Sequence, residues 1–301
     1  MIVAAVQTQE LADGVGQVDG VEMLLWPDGR ELPERVDEIE FLVPDYIHAR
    51  AIARQLGQFP RLRAVQLQTA GYDGILDLVP PGLEVLSARG VHDDATAELA
   101  LGLTIASLRG IDIAVRDQGH WQQEVERPSL ADSNVAILGY GSIGRAVAAR
   151  MLACRARVTG VASSVREDDL VGRVVTADAV DWAAQDVVVV VLPLSEATRR
   201  IVEAAFLARL HDEALVVNVG RGPLLDTDAV LAEAGRLRFA LDVTDPEPLP
   251  DDHPLWTAPG VLITPHIAGG TTAMLPRMAA LVRDQLERLR DGRPLRNLVP
   301  R

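Results

Sequence analysis

A chain of 301 residues with 48% hydrophobic content carries enough apolar side chain for at least one large core, and its length favours two domains over one. Its formal charge of -14, from 43 acidic against 29 basic residues, disfavours nucleic acid and anionic membrane as partners, while a local basic pocket for a phosphorylated ligand stays compatible with it. The single cysteine, Cys154, excludes an intramolecular disulfide and fits a reducing cytoplasm, and no apolar run reaches the ~18 to 20 residues of a membrane-spanning helix.

The N-terminal MIVAAVQTQE lacks a basic segment followed by a long apolar one, so it reads as a first strand rather than a signal peptide. FLVPDY, AIARQLGQFP, LRAVQLQTAG and LEVLSA follow, and this alternation of short strands with helical stretches predicts a small α/β domain. Asp94–Arg109 predicts a long, largely buried helix capped by Asp93 or Asp94 and joining two domains. After a polar stretch, Asp117–Arg127, SNVAILGYGSIGRAVAARMLACRARVTGVAS gives strand, glycine turn, helix and strand in the length of one βαβ unit. DVVVVVLPLS, LVVNVGRG, LRFALDV and GVLITPHIAG supply four more strands. Their continuous apolar runs suit strands covered on both faces, hence a central parallel sheet. Thr272–Arg290 predicts an amphipathic helix ended by Gly292, with Met278, Leu281, Leu286 and Leu289 apolar, and NLVP predicts a short strand or an extended tail.

Gly139-Tyr140-Gly141-Ser142-Ile143-Gly144 matches G-x-G-x-x-G between an apolar strand and a helix, the setting in which this pattern binds a dinucleotide. Gly139 permits the tight turn, Gly141 leaves room for the pyrophosphate, Gly144 lets helix and strand pack, and the backbone amide of Ser142 faces the phosphates. The second strand should end near Ala162 with a carboxylate for the adenosine ribose. The chain instead reads Ala162-Ser163-Ser164-Val165-Arg166, with no acid before Glu167. A 2′-phosphate then meets no repulsion, while Ser163, Ser164 and Arg166 can bind it. NADP is therefore favoured, with NAD as the alternate cofactor.

Three polar groups stand at successive strand ends: Arg221 after ALVV, Glu247 after FALDV, and His266 after GVLITP. Ligands of open α/β sheets gather at such carboxyl ends. A guanidinium grips a carboxylate and stabilises charge on a neighbouring carbonyl oxygen. Histidine exchanges protons near neutrality, and a glutamate beside it fixes its tautomer and raises its pKa. The six histidines are widely separated and no H-E-x-x-H or cysteine pair occurs, so no metal site is expected. No G-x-S-x-G nucleophile elbow is present either.

With these residues in view, the sequence resembles the D-isomer-specific 2-hydroxyacid dehydrogenase family over almost its whole length. LQTAGYD, ATAELALGLTIASLR, ILGYGSIGRAVA, LPLSEATRRIV, VNVGRGPLLD, ALDVTDPEPLPDDHPLW and TPHIAGGT carry the resemblance. It implies an α/β fold in which a doubly wound Rossmann-type parallel sheet, residues 97–267, is inserted into a smaller, discontinuous flavodoxin-like substrate domain of residues 1–96 and 268–301. A cleft between the domains and a homodimer built mostly through the cofactor domains are implied too. Arg221, Glu247 and His266 take the catalytic roles. Asp242 faces the nicotinamide carboxamide, Thr96 approaches the ring, and Pro193 with Thr198 forms a loop beside the cofactor. The cofactor-binding set also includes Ile143, Val219, His266 and Gly269. The backbone around Ala70, Gly71 and Tyr72 binds the substrate carboxylate opposite Arg221. Two features depart from the family: the acidic ribose ligand is replaced, and the stretch between Arg221 and Asp242 is short, which should trim a surface helix.

The combined reading is an NAD(P)-dependent, NADPH-preferring enzyme interconverting a small 2-oxo acid of the glyoxylate or hydroxypyruvate type and its D-2-hydroxy acid. The rival readings are oxidation of another small anion, such as phosphite or formate, and a cofactor-sensing protein with no catalysis. Tyr72 and Trp256 either shape the pocket or serve in ordinary packing.

Overall fold

The apolar runs become the strands of two separate parallel sheets. The computed structural model describes residues 1–27, 29, 31–46, 48–121 and 126–300, and divides them into one unit of Met1–His92 with the segment from Thr271 onward, and a second unit of Asp93–Gly270. Residues 122–125 of the polar stretch lie outside the described residues.

The first unit begins with β1 (Ile2–Val6), α1 (Gln9–Val15), β2 (Val21–Leu25), β3 (Ile39–Val43), α2 (Ala49–Ala53), β4 (Ala64–Gln66) and β5 (Glu84–Leu86). The strands pair in the order β2-β1-β3-β4-β5, each pair parallel. Ala4, Ala5 and Val6 at the centre are fully buried, because β1 has a neighbour on each side and apolar cover on both faces. Two elements have no counterpart in the sequence reading. Helix α1 is seven residues long, capped by the Thr8 hydroxyl on Leu11 N and ended by Gly16. Strand β2 is a half-buried edge.

The second unit opens with α3 (Asp93–Arg109) and α4 (Ile111–Arg116). Both Asp93 and Asp94 stand inside the first turn of α3 rather than ahead of it, where their charge meets the positive end of the helix dipole. There follow β6 (Asn134–Leu138), α5 (Ser142–Ala153), β7 (Arg157–Val161), a hairpin of β8 (Arg166–Asp168) and β9 (Gly172–Val174), and β10 (Val187–Val190). The unit continues with α6 (Ala204–Leu207), β11 (Leu215–Asn218), α7 (Thr227–Glu233), β12 (Arg238–Leu241) and β13 (Val261–Ile263). The main sheet is wholly parallel, in the order β13-β12-β11-β10-β6-β7. Strand alternation splits the four valines of β10. Val187 and Val189 join the core with Leu103 of α3 and Met151 of α5. Val188 and Val190 join the core on the other face with Leu207, Val230 and Phe239. Helices on both faces make the sheet doubly wound, and the strand order reverses between β6 and β10, whose carboxyl ends flank the ligand crevice of such folds.

The chain then returns to the first unit through α8 (Met274–Arg290), which buries Met278, Ala279, Val282, Leu286 and Leu289 against the sheet face bearing Ala4, Phe41 and Val43. Leu281 is only half-buried. The tail runs beside β5, with Val299 N donating to Val85 O at 2.8 Å and Leu298 bridged antiparallel to Leu86. Among the described residues no helix is long and apolar enough to cross a membrane.

Candidate active site

The glycine turn follows β6 at the crevice. Gly139 has φ +110, and a Cβ there would lie 2.7 Å from the Val191 carbonyl and from Leu192 N, just past β10. Glycine is therefore required by conformation and by contact alike. A Cβ on Gly144 would lie 2.4 Å from Gly139 O, so α5 packs on the turn only without a side chain there. At Gly141, just before the start of α5, a Cβ would meet nothing within 4 Å. A close-packed turn before a helix N-terminus at a reversal of strand order fits the diphosphate of a dinucleotide.

The neighbouring strand ends carry the polar groups. Asn218, fully buried at the end of β11, donates from Nδ2 to Arg221 O at 2.9 Å and accepts from Gly220 N at 3.1 Å, which fixes the loop bearing Arg221. A Cβ on Gly222 would lie 1.8 Å from Thr244 O, so only glycine lets this loop lie against the one after β12. Glu247 and His266 meet there, with 2.5 Å between Oε1 and Nδ1. The hydrogen bond to Glu247 raises the His266 pKa above its ordinary value, with burial and the Arg221 charge opposing. The same bond lowers the Glu247 pKa, burial opposing it and Arg221 assisting. Arg221 thus stands close enough to act on both charges. With Nδ1 engaged by a carboxylate, Nε2 is the ring atom free to exchange a proton with a ligand.

His266 has φ +52, in the left-handed region. Asp242, 1% exposed, holds it there. Its backbone carbonyl accepts from His266 N at 2.8 Å. Its Oδ1 accepts from Thr264 Oγ1 at 2.6 Å and Ile267 N at 2.9 Å, and its Oδ2 from Ala268 N at 3.0 Å. These bonds fill three of a carboxylate's roughly four acceptor sites. Asn218, Gly222 and Thr264 are the site residues that the sequence reading misses. Asn218 and Gly222 lie within VNVGRG and Thr264 within TPH, but as polar or small residues beside an obvious charge they carry no signal of their own.

Among the other sequence-chosen residues of this unit, Thr96 and Val219 are buried. Thr198 closes its loop by donating from Oγ1 to Pro193 O at 2.7 Å while accepting from Ser195 N at 2.8 Å. Gly269 lies in the turn after His266. Ser163 and Ser164 are exposed beyond β7. Arg166 does not extend away from the chain: its Nη2 donates to Tyr140 O, inside the glycine turn, at 2.5 Å. The acids beyond it differ. Glu167 is exposed, whereas Asp168 accepts from Tyr140 Oη, Leu170 N, Val171 N and Arg145 Nε. Burial acts to raise the Asp168 pKa, but these bonds outweigh it and hold the carboxyl at about 2. Trp256 is 44% exposed, donates to Pro250 O at 2.8 Å, and lines a cavity of about 410 Å³ with Leu249, Ile263, Pro265 and His266.

In the first unit, Ala70, Gly71 and Tyr72 are half-buried in the loop after β4. Thr69 shapes this loop, donating from Oγ1 to Gly71 O at 2.6 Å and accepting at its carbonyl from Ala88 N at 2.8 Å. Tyr72 packs against the core of its own unit.

Residues 101–268 match the family model of the D-isomer specific 2-hydroxyacid dehydrogenase NAD-binding domain. The chain is 36% identical over 248 residues, 78% of its length and 81% of the relative's, to a Corynebacterium melassecola protein whose function is uncharacterised. It is 33% identical over 260 residues, 82% of its length and 81% of the relative's, to a glyoxylate/hydroxypyruvate reductase of Arabidopsis thaliana. The crystal structure of an NADPH-dependent glyoxylate/hydroxypyruvate reductase from Sinorhizobium meliloti, in complex with NADP and sulfate, superposes with a TM-score of 0.82 at 26% identity, covering 99% of this chain and 97% of that one. With a doubly wound parallel sheet, a glycine turn at its crevice and a paired histidine and glutamate beside an arginine, the chain belongs to the D-isomer-specific 2-hydroxyacid dehydrogenases, dinucleotide-dependent oxidoreductases.

Proposed function

We propose that this chain interconverts a short 2-oxo acid and its D-2-hydroxy acid, with NADPH favoured over NADH. The observation that carries the reaction is the Glu247–His266 pair, 2.5 Å apart with the Arg221 charge beside it. Arg221 grips the substrate carboxylate and stabilises negative charge growing on the carbonyl oxygen. His266, whose imidazolium form the Glu247 bond favours, gives its Nε2 proton to that oxygen in the reducing direction and takes it back in the oxidising one. Glu247 fixes the ring through Nδ1, and Asp242 fixes the backbone beneath it. The same reading assigns the backbone around Ala70, Gly71 and Tyr72 to the substrate carboxylate. The nicotinamide, when bound, supplies or accepts the hydride. Gly139, Gly141, Ser142, Ile143 and Gly144 would hold its diphosphate, with Thr96, Pro193, Thr198, Val219, Asp242 and Gly269 along the remainder. Ser163, Ser164 and Arg166 would take the 2′-phosphate, since Glu167 points its charge to solvent and Asp168 is already engaged.

Glyoxylate and hydroxypyruvate are the first substrates to try, because each offers a carboxylate beside a carbonyl and little else. A panel of 2-oxo acids assayed with NADPH and NADH should show turnover of these two. Inactivity across the panel, in protein that binds reduced cofactor, would overturn the reading.

A further inference from the structure

Tyr140 fills the variable second place of the glycine turn, yet the residue is only 3% exposed and is held at several points. Its amide donates to Val161 O at 2.8 Å. The ring lies beneath β7 so closely that a Cβ on Gly160 would be 2.6 Å from Cδ2. Its hydroxyl donates to Asp168 Oδ1 at 2.8 Å, and Asp168 is itself anchored by the hairpin amides of Leu170 and Val171 and by Arg145. Arg166 rests on this fixed object at two points: Nη2 donates to Tyr140 O at 2.5 Å, and Cζ stands 5.9 Å from the ring centroid.

We propose that Tyr140 is a positioning residue for cofactor discrimination, a platform that holds the Arg166 guanidinium ready for the 2′-phosphate monoester of an adenosine. The inference rests on the NADPH-preference reading above and adds the residue that makes it work. An exposed arginine carries a long, rotamer-rich stem, and a phosphate that must first order it binds less well than one meeting it already placed. The planar group has five N–H donors, and one serves the Tyr140 carbonyl, so the others remain for phosphate oxygens. Tyr140 also engages Asp168, a carboxylate beside this turn, through its hydroxyl. The platform therefore offers a cation on its face and keeps the anion at its far edge.

The experiment measures NADPH and NADH dissociation constants by the fluorescence of the reduced nicotinamide, with no substrate present, in the parent, Arg166→Ala, Tyr140→Leu and Tyr140→Phe. Tyr140→Leu should weaken NADPH about three- to fivefold, the scale of an exposed cation–π contact, and leave NADH unchanged. Tyr140→Phe keeps the ring and loses only the Asp168 link, so NADPH should weaken about twofold. Equal weakening of both cofactors by Tyr140→Leu, or no change in either, would overturn the platform while Arg166→Ala still removed NADPH preference. A parent without NADPH preference, or an Arg166→Ala variant that retains it, would instead overturn the underlying reading. Should the Leu variant fail to fold, unchanged NADPH affinity in Tyr140→Phe is the overturning result.

Discussion

The loops after β12 and β13 and the segment after β7 both hold charged side chains next to a bound ligand's expected place, but they hold them by different means. Around His266 the anchors are buried: Asp242 is 1% exposed and spends three acceptor positions on its neighbours. Beyond β7, Ser163, Ser164 and Arg166 are all exposed, and Arg166 is located by one carbonyl and one ring face. Groups that must move a proton at a set distance need an over-determined frame, and buried Asp242 supplies it beneath a His266 and Glu247 that are themselves exposed. Groups that choose between two cofactors work near water, where each contact is screened and modest. Changes to the reacting side chains of the first region should therefore act on turnover by orders of magnitude, changes to its anchors on stability, and changes to the second region on cofactor choice by small factors.

The largest break should come from His266→Ala. Loss of the proton donor should reduce turnover of a 2-oxo acid by ~10²- to 10⁴-fold, with NADPH affinity near that of the parent; a variant that turns over normally would remove His266 from the chemistry. Glu247→Gln comes next and shows its effect in pH. On the proposed mechanism reduction needs the imidazolium, so kcat/KM should fall as pH rises through the raised His266 pKa. Taking away the carboxylate lowers that pKa and should move the alkaline limb to lower pH, which a pH profile of kcat/KM checks. An unmoved limb would mean that the histidine titrates independently of Glu247. Arg166→Ala should reduce NADPH discrimination, read as a kcat/KM ratio against NADH, by about tenfold or less, because solvent screens an exposed guanidinium. The smallest effect on turnover belongs to Thr264→Ala. It deletes the hydroxyl donor to a buried carboxylate and should lower the Tm by roughly 3 to 6 °C while catalysis persists. A Tm equal to that of the parent would show that Asp242 is satisfied without Thr264.

The contrast also explains what is legible in the sequence. The strand–turn–helix around Gly139 is readable because steric exclusion leaves one residue type at each of two positions, and the valines of β10 are readable because burial on both faces demands a continuous apolar run. The proximity of Glu247 and His266 follows from β12 and β13 being parallel neighbours, whose carboxyl ends are side by side. Helix α1 and strand β2 leave little trace: one is short and contains Gly14, and the other is a half-buried edge without apolar alternation. The β8–β9 hairpin, written in RED and GRV, has no hydrophobic period at all. Tyr140 is hidden for another reason. Its partner Asp168 is 28 residues away, and nothing in a glycine motif says that its variable position will hold a ring beneath β7.

The return of α8 to the first unit sets an order on synthesis. Ala4, Val6, Phe41 and Val43 lie in the first tenth and the next few strands of the chain, yet Met278, Val282, Leu286 and Leu289, which cover them, lie near its other end. A ribosome finishes the sheet of the first unit while that face is covered only in part, by Leu11 and Val15 of α1, and leaves the rest bare through translation of the whole second unit, residues 93–270. The second unit can fold as it emerges, since it is contiguous, but the first cannot close until α8 leaves the exit tunnel. For most of its birth the N-terminal segment is an apolar surface awaiting its lid, the kind of intermediate that chaperones bind and that aggregates in their absence. A ribosome stalled before Thr271 should therefore display a protease-sensitive N-terminal segment beside a protease-resistant second unit.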